Sequence, residues 1–375
     1  MKFIIKQEKL IECLNKIQPA IQSKTGSMPV LHNFLIDVRT DSIKFISTDL
    51  EIAIRHILKD SFSTIIEGTT TIPFKKFHDI VSTIDKDKEI TVSYEDDKVN
   101  IISGKIKMKI STFPSSDFPA TPLVSDKETF RVNAFDIVSM IEKTIFSSST
   151  DDKNTVLNGL LWKKEKDIFT IAATDGRRLA VISRKISSEG KLFKVVIPSR
   201  ILEEVCSYVR LCCSERDEMS INISTNQVGF KINNTEFVSR FIEGNFPSYE
   251  SIIPKSFESI ASIDCEKLMT STKRAVIAGG DNKNGFVKYV FKKDVLTVTL
   301  STQSVDFEDQ IDCNFSHRGA NEFVIVYNPR FIIDILKNSG AKNIEFRFTG
   351  STTPTMITVD NEPDLMYMIM PLKSY

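Results

Sequence analysis

One pattern occurs three times in this chain and restricts its fold more than any other feature. Thr71–Ile84 (TIPFKKFHDIVSTI), Val196–Val209 (VIPSRILEEVCSYV) and Tyr327–Gly340 (YNPRFIIDILKNSG) each hold a proline, a basic residue shortly after it, and then apolar residues at helical spacing. Proline has φ preset near −65° and no N–H to lose, which suits the first turn of a helix. Each copy therefore predicts a strand or turn feeding a short amphipathic helix. Pro73 and Pro198 are 125 residues apart (198 − 73), Pro198 and Pro329 are 131 apart (329 − 198), and three such spans account for nearly all 375 residues. A chain this long exceeds what one core usually serves, and the repeat selects three units of one kind.

The repeat extends beyond the proline segment. Aligning Ile5, Val132 and Ile263 brings Leu10, Ile137 and Leu268 into register, then Ile11, Val138 and Met269, at offsets of 127 (132 − 5) and 131 (263 − 132). In all three, strand alternation gives way to helical periodicity. Alternating segments follow at Phe34–Ile54, Gly159–Val181 and Val287–Asp309, and again after each proline helix, as half-buried antiparallel strands require. The predicted class is α+β: three repeated domains, each with two helices packed on antiparallel sheets. Proline-rich exits at Phe113–Asp126 and Phe241–Phe257 place linkers near 123–128 and 254–259, giving domains at 1–124, 128–253 and 259–375.

Lysine plus arginine and aspartate plus glutamate both number 49, so net charge neither favours nor excludes nucleic acid; only the distribution can. The opening MKFIIKQEKLIECL is broken by charge, and no run is long enough to cross a bilayer, which predicts a cytoplasmic protein with no membrane partner. Six cysteines without a C-x-x-C and four scattered histidines predict reduced thiols and no metal. Phosphate-binding, dinucleotide, nucleophile-elbow and zincin motifs are all absent, and the carboxylates at Asp96–Asp97 and Asp151–Asp152 fall in turn-like segments, so neither catalysis nor a cofactor is expected.

Several passages, taken in order, resemble the bacterial DNA polymerase III β sliding clamps, the family of processivity factors: PVLHNFLI from Pro29, STFPSSDFP from Ser111, LNGLLW from Leu157, ATDGRRLAV from Ala173, GNFPSYESIIP from Gly244 and YMIMPLK from Tyr367. The resemblance runs from residue 1 to Lys373. It implies a head-to-tail homodimer closed into a ring around double-stranded DNA, loaded by a separate clamp loader ATPase. It also implies that the ring tethers the replicative DNA polymerase, mismatch-repair proteins and other DNA-repair proteins. A heterologous contact between unlike ends closes only if the rotation per unit divides the circle, which three like domains in each of two chains allow.

The resemblance also assigns residues. The dimer interface falls at Met108, Ile110, Ile277 and Ala278. DNA-binding cations are sought among Lys24, Lys75, Lys76, Arg200, Lys273 and Arg330, with Lys9, Lys16, Lys143, Lys267 and Arg274 as further helix cations. An ordinary solvated helix face would look the same. Phosphate contacts need only scattered cations, since they position without reading sequence. A peptide-binding cleft is implied at Leu157, Thr174, Gly176, Arg177, Arg178, Leu179, Pro247, Ile252, Met368, Ile369, Met370, Pro371 and Leu372. Flexible methionines suit a surface that accepts several peptides, although a closing strand with methionines is as often plain core. Arg177, Ser251 and Lys373 depart from the residues frequent in the family at the rim. The same features would also fit a non-DNA scaffold that collects partner peptides, or a hydrolase using paired carboxylates.

Overall fold

Strands from successive repeats join edge to edge, so packing units and sequence repeats are out of phase. The computed structural model describes residues 1–22, 28–121, 129–151, 153–186, 192–280, 285–317 and 322–372. Its two packing units are Met1–Val138 with Arg200–Phe241, and Ser139–Ser199 with Ile242–Tyr375. Six α-helices are present among the described residues: α1 (Gln7–Ile17), α2 (Phe74–Ser82), α3 (Ala134–Ile145), α4 (Ser199–Cys212), α5 (Cys265–Ala278) and α6 (Pro329–Ser339), two per repeat.

In the first unit an eight-stranded antiparallel sheet takes Gly68–Pro73, Asn33–Val38, Ile43–Thr48 and Ile52–Leu58 from the first repeat. It continues into Thr235–Arg240, Gln227–Ile232, Glu218–Ile223 and Thr129–Asn133 of the second. The seam is the pairing of Thr235–Ser239 with Ile52–His56. A five-stranded sheet runs Phe62–Ile66, Lys2–Lys6, Glu89–Glu95, Lys98–Ser103, Ile106–Ser111, leaving Ile106–Ser111 on an edge. Helix α1 buries Leu10, Cys13, Leu14 and Ile17, one stripe of a 3.6-residue period. Phe34 lies within 6.2 Å, centroid to centroid, of Phe45, Phe74 and Phe77, which ties α2 to the sheet.

The second unit repeats the device. A nine-stranded sheet runs Phe193–Pro198, Gly159–Glu165, Ile168–Thr174, Arg178–Lys185, then crosses into the third repeat through Leu365–Ile369, Thr355–Val359, Asn343–Phe348, Ser259–Asp264 and Asn314–His317. Its seam pairs Arg178–Ile182 with Leu365–Ile369. A four-stranded sheet, Asp306–Asp312, Val295–Ser301, Val287–Lys292, Phe323–Tyr327, leaves Asp306–Asp312 on an edge. Around Phe291 the rings of Phe315, Phe323, Phe346 and Phe348 form the core, all within 6.4 Å.

The proline segments do feed helices, but only Pro329 sits in a first turn, where Asn328 accepts the Arg330 N–H. Pro73 and Pro198 instead end the preceding strands, and their helices start one residue later. A prolyl ring fits a strand end as readily, because the lost N–H costs nothing there. The six cysteines are free thiols, and among the described residues no helix is long and apolar enough to cross a membrane.

The first seam carries a buried polar chain: Thr235 Oγ1 donates to the Tyr208 hydroxyl at 2.8 Å and lies 2.8 Å from His56 Nδ1. Burial pushes the His56 imidazole down to about 4 from its usual 6.5. The unfolded chain therefore binds one more proton between these values, and stability rises with pH across them. Acidifying from about pH 6.5 to 4 should remove up to roughly 3 kcal/mol through this residue, with its contribution complete above that window. Melting curves of the parent and His56→Gln across this range check it: the variant should lose that part of the slope.

Candidate functional site

The second seam ends in a turn whose geometry is set by the five residues Thr174–Arg178. Thr174 Oγ1 donates to the Arg178 carbonyl at 2.6 Å and accepts the Gly176 N–H at 3.1 Å, while Asp175 Oδ1 accepts the N–H groups of Arg177 and Arg178 at 2.9 and 3.0 Å. Gly176 sits at φ 83°, the left-handed region that glycine enters without steric penalty. Past the turn, Leu179 pairs with Met368 and Arg178 with Ile369, and the Met370 N–H donates to the Arg177 carbonyl at 2.8 Å. The exit segment closes the third side: a 3-10 turn at Tyr249–Ile252 starts as the Tyr249 N–H donates to the Pro247 carbonyl.

These three segments, distant in sequence, enclose an open cleft of about 580 Å³. Ten of the residues assigned to a peptide site line it: Thr174, Gly176, Arg177, Arg178, Leu179, Pro247, Ile252, Met368, Ile369 and Met370. The floor is the buried pair Leu179 and Met368, seated on Leu161, Ala172, Val181, Phe246 and Tyr249. Ile252 and Met370 stand at the mouth, 51% and 43% exposed. Leu157, Pro371 and Leu372 are not in the lining; Leu157 is buried, and Leu372 donates its N–H to the Val326 carbonyl. Sequence reading missed Ser248, Tyr249 and Pro354. Tyr249 was legible as an aromatic residue two positions after Pro247 in the same exit segment, and burial pushes its phenol up to about 12, so it lines the cleft as a neutral ring. Pro354 comes from a polar loop with no distinguishing signal.

The two arginines of the turn differ in state. Arg178 is spent on the protein: Nε meets Asp175 at 3.0 Å, Nη1 meets Asp334 of α6 at 2.6 Å, and its guanidinium lies over Phe331 at 4.7 Å and Phe146 at 5.5 Å. Arg177 is exposed and has no ion pair among the described residues.

The assigned cations separate likewise. Lys75, Lys76, Lys273 and Arg330 are exposed on their helices without ion pairs among the described residues. Arg200 is held by Asp49 at 2.5 Å and Glu51 at 3.3 Å. Lys9 and Lys16 share Glu12, Lys143 meets Glu362, Lys267 meets Asp312 and Arg274 meets Asp309. Lys24 and Lys373 lie outside the described residues, as does the linker at 123–128. Of the assigned interface positions, Ile110 is buried and Met108 half-buried on the edge strand Ile106–Ser111, while Ile277 is 78% exposed near the end of α5 beside a half-buried Ala278. No metal-binding cluster of His, Cys, Asp and Glu occurs among the described residues.

Repeated α+β units with helix pairs on shared antiparallel sheets define a sliding-clamp fold. A solved DNA polymerase sliding clamp from Bacillus subtilis superposes with a TM-score of 0.94 over 100% of both chains at 23% identity. A DNA polymerase III beta subunit structure from Pseudomonas aeruginosa gives 0.91 with the same coverage and identity. Three family models match in order, the N-terminal, central and C-terminal domains of the DNA polymerase III beta subunit, at residues 1–122, 131–248 and 250–373. The beta sliding clamps of Haemophilus influenzae and Escherichia coli K12 are 28% and 26% identical, with both chains covered in full. The chain belongs to the DNA polymerase III beta subunit family.

Arg178→Ala should lower stability by roughly 1–3 kcal/mol, since it leaves Asp334 and Asp175 without their partner, whereas Arg177→Ala should stay within about 0.5 kcal/mol. Chemical denaturation of both variants distinguishes them.

Proposed function

We propose that the protein is a non-catalytic, cytoplasmic DNA sliding clamp that closes as a head-to-tail homodimer around duplex DNA. Short apolar peptides of the replicative polymerase, the clamp loader ATPase and repair proteins dock in its Leu179/Met368 cleft. The observation that carries this reading is the convergence of ten residues, from three segments of a chain in this family, on one apolar cleft. Each large apolar side chain fully buried there is worth about 1.5–3 kcal/mol, enough for moderate affinity from a short motif. Domains at 1–124, 128–253 and 259–375 remain the units we propose for the repeat.

Lys75, Lys76, Lys273 and Arg330 are the cations free to meet phosphate, and such contacts would be sequence-blind and salt-sensitive. Lys24 is kept in this set, with Arg200 as a weaker member because two carboxylates already hold it.

For the interface, Met108, Ile110, Ile277 and Ala278 gain support from two sheet edges whose chemistry is complementary. On strand Ile106–Ser111 the exposed Lys107 and Lys109 alternate with Ile106, Met108 and Ile110. On strand Asp306–Asp312 the exposed Asp306 and Glu308 alternate with half-buried Phe307 and Ile311. Pairing one copy's first edge with a second copy's other edge would satisfy both backbones and set lysines against carboxylates. Lys107→Glu with Lys109→Glu should weaken the dimer roughly tenfold or more, with partial recovery on adding Glu308→Lys. Sedimentation across a dilution series reads this, and an unchanged dimer would remove the edge pairing.

The functional test is retention. Loaded protein should stay on circular duplex DNA and slide off when the circle is cut. A Leu179→Ala, Met370→Ala variant should be retained equally but no longer stimulate the polymerase. Equal retention on circular and linear DNA would sink the ring.

A further inference from the structure

The internal repeat builds the cleft a second time. The turn Thr48–Ile52 reproduces Thr174–Arg178 bond for bond: Thr48 Oγ1 donates to the Ile52 carbonyl at 2.9 Å and accepts the Leu50 N–H at 3.0 Å, while Asp49 Oδ1 accepts the N–H groups of Glu51 and Ile52 at 3.0 and 2.9 Å. The strand beside it follows the same register, Val238 opposite Ala53 and Ser239 opposite Ile52, as Met368 is opposite Leu179 and Ile369 opposite Arg178. Beneath it Phe118 packs with Val30, Ile46 and Leu35. These are the repeat partners of Phe246, Val156, Ala172 and Leu161, offset by 128 (246 − 118) and 126 (156 − 30, 172 − 46, 161 − 35).

The result is a second open cleft, between the Thr48–Ala53 turn, the Pro119–Thr121 exit and the end of strand Thr235–Arg240, enclosing about 1050 Å³. Its floor has Ala53 and Val238 where the other has Leu179 and Met368. Two features set its chemistry. Leu50 occupies the left-handed position at φ 78° that Gly176 fills in the other turn, and its side chain is 52% exposed at the mouth. Holding a leucine there strains the backbone for an apolar group that the fold does not bury, which marks a contact surface. Arg240 is exposed with no ion pair among the described residues, whereas Glu51 across the cleft is already held by Arg200. Arg240 is thus the lining cation left for a ligand carboxylate.

We propose that this cleft docks an extended peptide presenting an aromatic side chain next to a carboxylate, the ring against Leu50 and Ala53 and the carboxylate on Arg240. It rests on the peptide reading of the Leu179/Met368 cleft for the kind of ligand only. The test uses the full chain and a short synthetic peptide with one Phe flanked by Asp, alongside the same peptide with Lys in place of Asp, titrated calorimetrically. On Leu179→Ala, Met370→Ala protein the Asp peptide should still bind, and more tightly than the Lys peptide. Adding Leu50→Gly and Arg240→Glu should weaken it roughly tenfold or more. Leu50→Gly alone should melt at or above the parent temperature, since glycine suits that φ, so lost binding would not report misfolding. The proposal is overturned if the Asp peptide fails to bind the Leu179→Ala, Met370→Ala protein, if the Leu50 and Arg240 changes leave binding intact, or if the Lys peptide binds equally. If instead the Leu179 and Met370 changes leave binding of polymerase peptides untouched while the Leu50 and Arg240 changes act as stated, the other cleft's assignment fails and this one stands.

Discussion

Two antiparallel seams carry the architecture: Thr235–Ser239 against Ile52–His56, and Leu365–Ile369 against Arg178–Ile182. Each joins strands some 180 residues apart in sequence, as in the Thr235 and His56 pair (235 − 56 = 179). A repeat alone would present that strand as an open edge; pairing it with the next repeat satisfies its backbone and continues a hydrophobic layer across the boundary. The seams also position the two clefts. Each sits where a seam strand ends, a turn folds over, and the exit segment crosses, so sheet register sets the cleft's place and the turn and exit close it.

The two clefts then diverge through few substitutions on one frame. Where the second seam has Gly176 and a buried Leu179, the first has Leu50 and Ala53. Each turn is clamped by charge to the second helix of the next repeat, with opposite polarity at the two places: Arg178 reaches Asp334 of α6, while Asp49 and Glu51 reach Arg200 of α4.

Much of this was legible in the sequence, for a physical reason. Threefold repetition of a helical stripe after a proline, with offsets that agree, is hard to satisfy except by one module used repeatedly, and the helix pairs and alternating strands followed. The turn chemistry of Asp175-Gly176 and the apolar tail were equally readable. What remained hidden depends on partners remote in sequence. Nothing local shows that Arg178 is neutralised by Asp334 while Arg177 is not, or that Arg200 is held by Asp49. That Leu50 adopts a glycine conformation was invisible because leucine gives no turn signal. The acidic alternation of Asp306–Asp312 was visible, but its place on a sheet edge was not.

The strand Leu365–Ile369 lies inside a nine-stranded sheet, bonded on one side to Arg178–Ile182 and on the other to Thr355–Thr358. A pull applied to the chain beyond Leu372 would load that strand along its length, in shear, so that bonds on both flanks must give way together. Sheets opened from an edge unzip one bond at a time and yield at low force. The segment that lines the cleft is thus held from both flanks at once.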